Sequence, residues 1–141
     1  MKKNFLLLLI FLSGFFFSQE YKPDILGNGF EQKTLNFPND YEGKAAATVI
    51  RKKAESPTHK AVLYIHGFND YFFQTEIAEK FNEKGFDFYA LDLRKYGRSY
   101  LPHQTFNNVR NLDEYIAEID EALEIIAAEN HNKILLAGHS T

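Results

Sequence analysis

The chain has 141 residues, 45% hydrophobic and 25% charged, a balance that supports a packed core and argues against wholesale disorder. It contains no cysteine, which excludes a disulfide scaffold, cysteine-ligated metal and a cysteine nucleophile. Its formal net charge of −3 argues against a broad basic surface for nucleic acid.

Lys2 and Lys3 precede an uncharged run, Phe5 to Phe17, broken by Ser13 and Gly14. The run falls short of the about 17–25 apolar residues that span a bilayer. It reads as the basic and apolar regions of a secretory signal with cleavage after Ser18. Residues 1–18 are therefore expected to be a signal peptide and residues 19–141 the working domain. The protein is expected to be exported, periplasmic or secreted, with no stable membrane anchor after cleavage.

In the remainder, Gly27-Asn28-Gly29 reads as a turn and Phe30 to Phe37 as a strand. Pro38-Asn39-Asp40 with Gly43 turns the chain into a second strand, Ala45 to Lys53, which pairs back as a hairpin. Ala61 to Ile65 is a continuous apolar run of the kind buried on both faces of a parallel sheet. A helix is predicted from Phe72 to Lys84, with Phe73, Ile77, Ala78 and Phe81 on one stripe and Gly85 as the residue that ends it. Phe86 to Leu91 is the next strand, followed by a long loop from Asp92 to Asn108. Asn111 and Glu114 have capping-box spacing. They open a helix whose apolar face is Leu112, Tyr115, Ile116, Ile119, Leu123 and Ile126, with its acidic residues on the solvated face. Ile134 to Ala137 is a last buried strand. A hairpin followed by strand–helix–strand–helix–strand implies an α/β fold, with parallel strands joined by crossover helices on both faces.

In such sheets chemistry sits at the carboxyl ends of the strands. Three strands end in notable loops: His66-Gly67-Phe68, Asp92-Leu93-Arg94 and Gly138-His139-Ser140-Thr141. Strand–Gly–x–Ser is the approach to a nucleophile elbow, a turn so tight that the residue two before the serine must be small. Gly138 meets that demand. Ser140 would present its hydroxyl above the sheet, and the Thr141 N–H would be one oxyanion donor. Gly67 allows the backbone after the Ala61–Ile65 strand to bend, aiming the Phe68 N–H across the strand ends as the second donor. The His66 side chain is expected to bond nearby backbone and shape that loop.

These residues resemble the α/β-hydrolase superfamily, in its branch of monoacylglycerol lipases, lysophospholipases and serine aminopeptidase-like hydrolases. Leu63-Tyr64-Ile65-His66-Gly67-Phe68 is similar to the family's oxyanion strand and loop. Asp92-Leu93-Arg94-Lys95-Tyr96-Gly97-Arg98-Ser99 looks like its D-x-R-G-x-G-x-S loop, and Ala137-Gly138-His139-Ser140-Thr141 looks like G-H-S-x-G. The resemblance covers roughly Ala45 to Thr141. It implies that Asp92 and Arg94 order the loop beside the active site and that Ser140 is the nucleophile. Two departures stand out: Lys95 where the family often has glycine, and Asn69-Asp70 after the His-Gly-Phe stretch.

In this fold the acid and histidine of the triad follow the serine in chain order. The histidines before Ser140 are poor candidates for the base. His59 and His131 lie in loops, the latter at the amino end of its strand. His103 lies in the long loop, and His139 is expected to point away and pack. The chain thus reads as the N-terminal half of an α/β-hydrolase domain, truncated at the nucleophile elbow and inactive alone, its last strand an open apolar edge. No phosphate loop (G-x-x-x-x-G-K-S/T), dinucleotide fingerprint or H-E-x-x-H occurs, so no cofactor and no metal are expected. The expected activity of the full protein is ester hydrolysis through an acyl-enzyme on Ser140, acting on a small acyl ester or lipid. A peptidase or amidase of the same fold and a non-catalytic exported remnant are the alternatives.

Overall fold

Side chains alternate across a strand, so a strand between two helical layers must be apolar on both sides. The computed structural model, which describes residues 20–140, shows this in its two central strands. The expected signal segment, 1–18, and Thr141 lie outside the described residues. The elements are β1 (Lys22–Pro23), β2 (Glu31–Asp40), β3 (Gly43–Lys52), β4 (Lys60–Ile65), α1 (Thr75–Glu83), β5 (Asp87–Asp92), α2 (Ile116–Ala128) and β6 (Lys133–Gly138). Short 3-10 turns occupy Gly97–Ser99 and Leu112–Tyr115.

The strands form one sheet in the order β1-β2-β3-β5-β4-β6. β1, β2, β3 and β5 pair antiparallel, whereas β4 lies parallel to β5 on one side and to β6 on the other. This is the hairpin-then-parallel arrangement of an α/β-hydrolase sheet. Every residue of β5 is buried. Phe88 and Ala90 join Phe30, Val62, Tyr64, Phe72 and Ala78 under α1. Tyr89 and Leu91 join Leu35, Val49, Leu63, Ala122 and Ile126 under α2. β6 is the edge strand of the described sheet, and its neighbouring Leu135 and Leu136, on opposite faces, are both exposed.

The helices depart from the sequence pattern in instructive ways. α1 begins at Thr75, three residues later than the stripe suggests. The Phe72 N–H is held by the Asp92 carboxylate at 2.9 Å, and its ring packs between Phe30, Tyr64 and Phe88. That anchor keeps residues 72–74 out of the helix and leaves Phe73 exposed. Gly85, at φ +74°, ends the helix with its N–H on the Asn82 carbonyl at 2.8 Å.

At the second helix Asn111 accepts from the Asp113 N–H, but Glu114 reaches the Arg110 N–H instead of closing the box on Asn111. The first turn is 3-10, with three residues per turn, so the apolar stripe loses phase. Leu112 and Ile116 are therefore exposed, and Ile119, Ala122, Leu123 and Ile126 face the sheet.

The acidic residues of α2 are not all solvated, contrary to the sequence expectation. Glu118 is fully buried, accepting the Arg94 backbone N–H at 2.9 Å and pairing with its guanidinium Nε. Glu129, just past the helix, accepts from Arg51, Lys53 and the Tyr89 hydroxyl. A periodic pattern shows that a carboxylate lies beside the stripe, but not that a cation from a distant loop meets it there.

Removing one member of a buried pair strands the other charge, at a cost of about 3–5 kcal/mol. Glu118→Ala leaves the Arg94 guanidinium facing the more distant Asp40 (3.8 Å) and Glu114 (3.9 Å). The expected loss is therefore about 3 kcal/mol, the low end of that range. Urea denaturation, with unchanged m-value, checks it.

Candidate active site

Three loops meet at the carboxyl ends of β4, β5 and β6. After β4, the His66 ring is buried with both nitrogens engaged. Nδ1–H donates to the Gly67 carbonyl at 2.8 Å, and Nε2 accepts the Leu93 N–H at 3.1 Å. The partners assign this neutral tautomer. Burial pushes the His66 pKa below its ordinary value. The ring also packs on Tyr96, centroids 4.7 Å apart. His66 thus ties the loop after β4 to the loop after β5. Gly67 is buried, the Phe68 side chain is exposed, and Asn69 adopts a left-handed backbone at φ +58°.

After β5, Asp92 is fully buried. Its Oδ1 accepts the Phe72 N–H; its Oδ2 accepts the Arg98 N–H at 3.0 Å and Nη1–H at 2.9 Å. Arg98 also reaches Asp24 through Nε (2.7 Å) and Nη2 (2.9 Å), and Nη1 donates to the Phe72 carbonyl. Ser99 Oγ donates to the Asp92 carbonyl at 2.6 Å. Arg94 pairs with Glu118, which joins this loop to α2. Arg98 lies within the D-x-R-like stretch, but nothing in the sequence pairs it with the remote Asp24.

Two positions in this loop take left-handed backbone. Gly97 sits at φ +43°, where an added Cβ would lie 2.5 Å from Tyr71 Cβ and 2.6 Å from Asp92 Oδ2. Lys95, in the place where the family often has glycine, sits at φ +66°. Its buried ammonium lies 2.9 Å from Asp40 and 2.7 Å from Glu42, over the Tyr41 ring. The Lys95 ammonium beside Glu42 holds that carboxyl down to about 2.

After β6, Gly138 comes close to β4: an added Cβ would lie 3.3 Å from the Ile65 carbonyl oxygen. The His139 N–H bonds the same carbonyl at 3.4 Å, carrying the chain one residue past the paired strands to an exposed Ser140. The His139 side chain does more than pack. It stacks on the Tyr64 ring, its Nδ1 accepts the Tyr64 hydroxyl at 2.6 Å, and its Nε2 lies 3.2 Å from Asp70 Oδ2. The position of the Thr141 N–H lies outside the described residues.

The other three histidines are engaged elsewhere: His59 with the Asn130 carbonyl, His103 with the Lys44 carbonyl, and buried His131 with Asp87 and the Ile126 carbonyl. Among the described residues no group of three or more His, Asp or Glu could hold a metal ion, and no helix is long and apolar enough to cross a membrane.

Residues 56–141, from the segment before β4 through Thr141, match the family described as Serine aminopeptidase, S33. The chain belongs to this family. Solved structures share its fold. A lipase in its open form aligns with TM-score 0.64 at 16% identity, over 77% of this chain and 36% of the lipase. A thermostable carboxyl esterase from Bacillus coagulans aligns with TM-score 0.61 at 17% identity, over 77% and 36%. A soluble variant of monoglyceride lipase from Saccharomyces cerevisiae aligns with TM-score 0.56 at 20% identity, over 77% and 34%. The chain thus spans about a third of the length of these structures. No curated protein matches it.

Two outcomes follow for this serine aminopeptidase-family chain. Because folding holds His66 neutral, the unfolded chain binds the extra proton first on acidification. The His66 contribution to stability is full above its unfolded value of 6.5 and is lost progressively as pH falls from there toward the lower folded value. Denaturant titrations between pH 8 and 5 are expected to show this slope, and His66→Asn to remove it. Gly97→Ala is expected to destabilise by about 2–4 kcal/mol, combining left-handed strain with overpacking against Tyr71 and Asp92. Thermal melting checks it.

Proposed function

We propose that this chain carries the nucleophile and oxyanion loop of an exported serine hydrolase that cleaves carboxylic esters of apolar acyl chains, lysophospholipase-like or monoacylglycerol lipase-like. The observation that carries the reading is the pairing of Ile65 with Gly138 at the ends of β4 and β6, continued by the His139 N–H on the Ile65 carbonyl. It brings the His66-Gly67-Phe68 loop alongside the elbow sequence. Family membership supports a hydrolase. The basic start and apolar run within residues 1–18, read as an export signal, support action outside the cytoplasm.

In this mechanism Ser140 Oγ attacks the ester carbonyl carbon. Its proton passes to a histidine, oriented by an acid, that this fold supplies after the nucleophile. The Phe68 and Thr141 N–H groups stabilise the tetrahedral oxyanion. Collapse expels the alcohol, which takes the proton from the histidine, and leaves the acyl group on Ser140. Water, deprotonated by the same histidine, then releases the carboxylic acid. Phe68, Tyr71 and Phe73 expose aromatic surface on the loop after β4, which suits an acyl chain better than a charged residue. A second reading, aminopeptidase or amidase chemistry, is favoured by the family's own description.

The test compares p-nitrophenyl butyrate with an aminoacyl p-nitroanilide on the complete gene product. Ester turnover with a burst of p-nitrophenol is expected, falling about 10⁴-fold or more in Ser140→Ala. Preferential turnover of the anilide selects the peptidase reading. Turnover unchanged in Ser140→Ala rejects both.

A further inference from the structure

The two oxyanion donors proposed above come from separate loops, so the spacing between them must be held by something that joins those loops. Asp70 stands two residues after Phe68, and His139 stands one residue before Ser140. Asp70 Oδ2 and His139 Nε2 are 3.2 Å apart. Each partner is braced. Asp70 Oδ1 accepts the Tyr71 N–H at 2.8 Å. The His139 ring lies 16° from parallel to the Tyr64 ring, and its Nδ1 accepts the Tyr64 hydroxyl at 2.6 Å. The Tyr64 pKa is raised by burial and by the Asp70 charge, so its hydroxyl stays protonated and donates. Nδ1 is then an acceptor, which leaves the ring proton on Nε2, the nitrogen 3.2 Å from Asp70 Oδ2. Tyr64 itself is buried within β4, one residue before its end, which fixes the imidazole to the sheet rather than to a loop.

We propose that Asp70 and His139 are positioning residues: braced by Tyr64, they clamp the loop carrying Phe68 to the strand end carrying Ser140 and set the spacing between oxyanion donor and nucleophile. This rests on the serine hydrolase reading above. Neither residue touches the reacting atoms in this role. Phe72 and Asn69 anchor the same loop to Asp92 and Asn107, the latter through a 2.8 Å side-chain bond. Those anchors lie on the β5 side, whereas Asp70 faces the elbow.

The experiment measures p-nitrophenyl butyrate hydrolysis by the complete gene product, with kcat normalised to burst amplitude so that unfolded molecules do not count. Asp70→Ala and His139→Ala are each expected to lower kcat about 10–100-fold, since a displacement near 1 Å costs that much. KM is expected to stay within about two-fold. The double variant is expected to match the worse single variant, because either loss opens the same clamp. Asp70→Asn keeps an acceptor oxygen at the same reach and is expected to recover most of the loss. If His139→Ala fails to fold, His139→Gln is held to the same criterion. Unchanged kcat, a loss confined to KM, or additive losses in the double variant overturn the clamp. Turnover that survives Ser140→Ala overturns the hydrolase reading instead.

Discussion

Asp92 is the junction on which the carboxyl-end architecture depends. Its buried carboxylate cannot be left unpaired, because desolvating an ionised carboxylate without partners costs far more than a folded domain can spare. The chain meets that demand with donors from two directions: the Phe72 N–H from the loop after β4 and the Arg98 backbone and guanidinium from the loop after β5. Arg98 then extends the network to Asp24, near the start of the described chain. One strand-end carboxylate therefore fixes where α1 can begin, how the following loop turns, and where the segment before β2 docks. Its energetic asymmetry explains its rigidity. The complete network contributes modestly, whereas any incomplete version is heavily penalised.

Backbone strain in this region follows the same logic. Left-handed conformation costs a non-glycine residue about 1–2 kcal/mol. At Gly97 the sequence avoids the cost, and the missing Cβ also makes room for Tyr71 and Asp92. At Lys95 the cost is accepted. The ammonium enters a buried site between Asp40 and Glu42, both from the β2–β3 hairpin. A glycine there would relieve the strain but take the nearest cation from both carboxylates, leaving Asp40 only the more distant Arg94 at 3.8 Å. Lys95 thus combines a left-handed backbone, which glycine adopts most readily, with a charged partner for the hairpin. The loop makes a left-handed turn at Lys95 and is tied electrostatically to the hairpin.

The sheet and its helices were legible because they depend on local periodicity: the apolar runs at Ala61–Ile65 and Phe86–Leu91 read directly as β4 and β5. The errors occurred where a distant group outcompeted local pattern. Phe72 and Phe73 fit a helical stripe, but Asp92, twenty residues on, holds the Phe72 N–H. Glu118 fits a solvated face, but Arg94 reaches it. The Asn111–Glu114 spacing suggests a capping box, but Glu114 bonds Arg110 instead. Of the candidate site, the loop sequences were readable as motifs. The Asp70–His139–Tyr64 contact was not, since it joins three residues whose meeting depends on strand order, and nothing in linear spacing places β6 beside β4.

The opposite end of the sheet shows why location matters more than residue type. There Asp87, buried His131, Lys53, Glu129, Arg51 and Tyr89 form a network as dense as the one around Asp92. It contains a carboxylate–imidazole pair at 2.9 Å, tighter than Asp70–His139. Yet most of its groups sit on strands, or beside their ends, and pack against the end of α2, so they hold the layers together and present no loop. At the carboxyl end, comparable pairs belong to loops that stand above the sheet, and there they tie the loop after β4 to the end of β5 and to the strand end before Ser140. The parallel strands β4, β5 and β6 make this difference, because all three deliver their following loops to one edge. The same ion-pair chemistry therefore stabilises layers at one end and joins loops at the other.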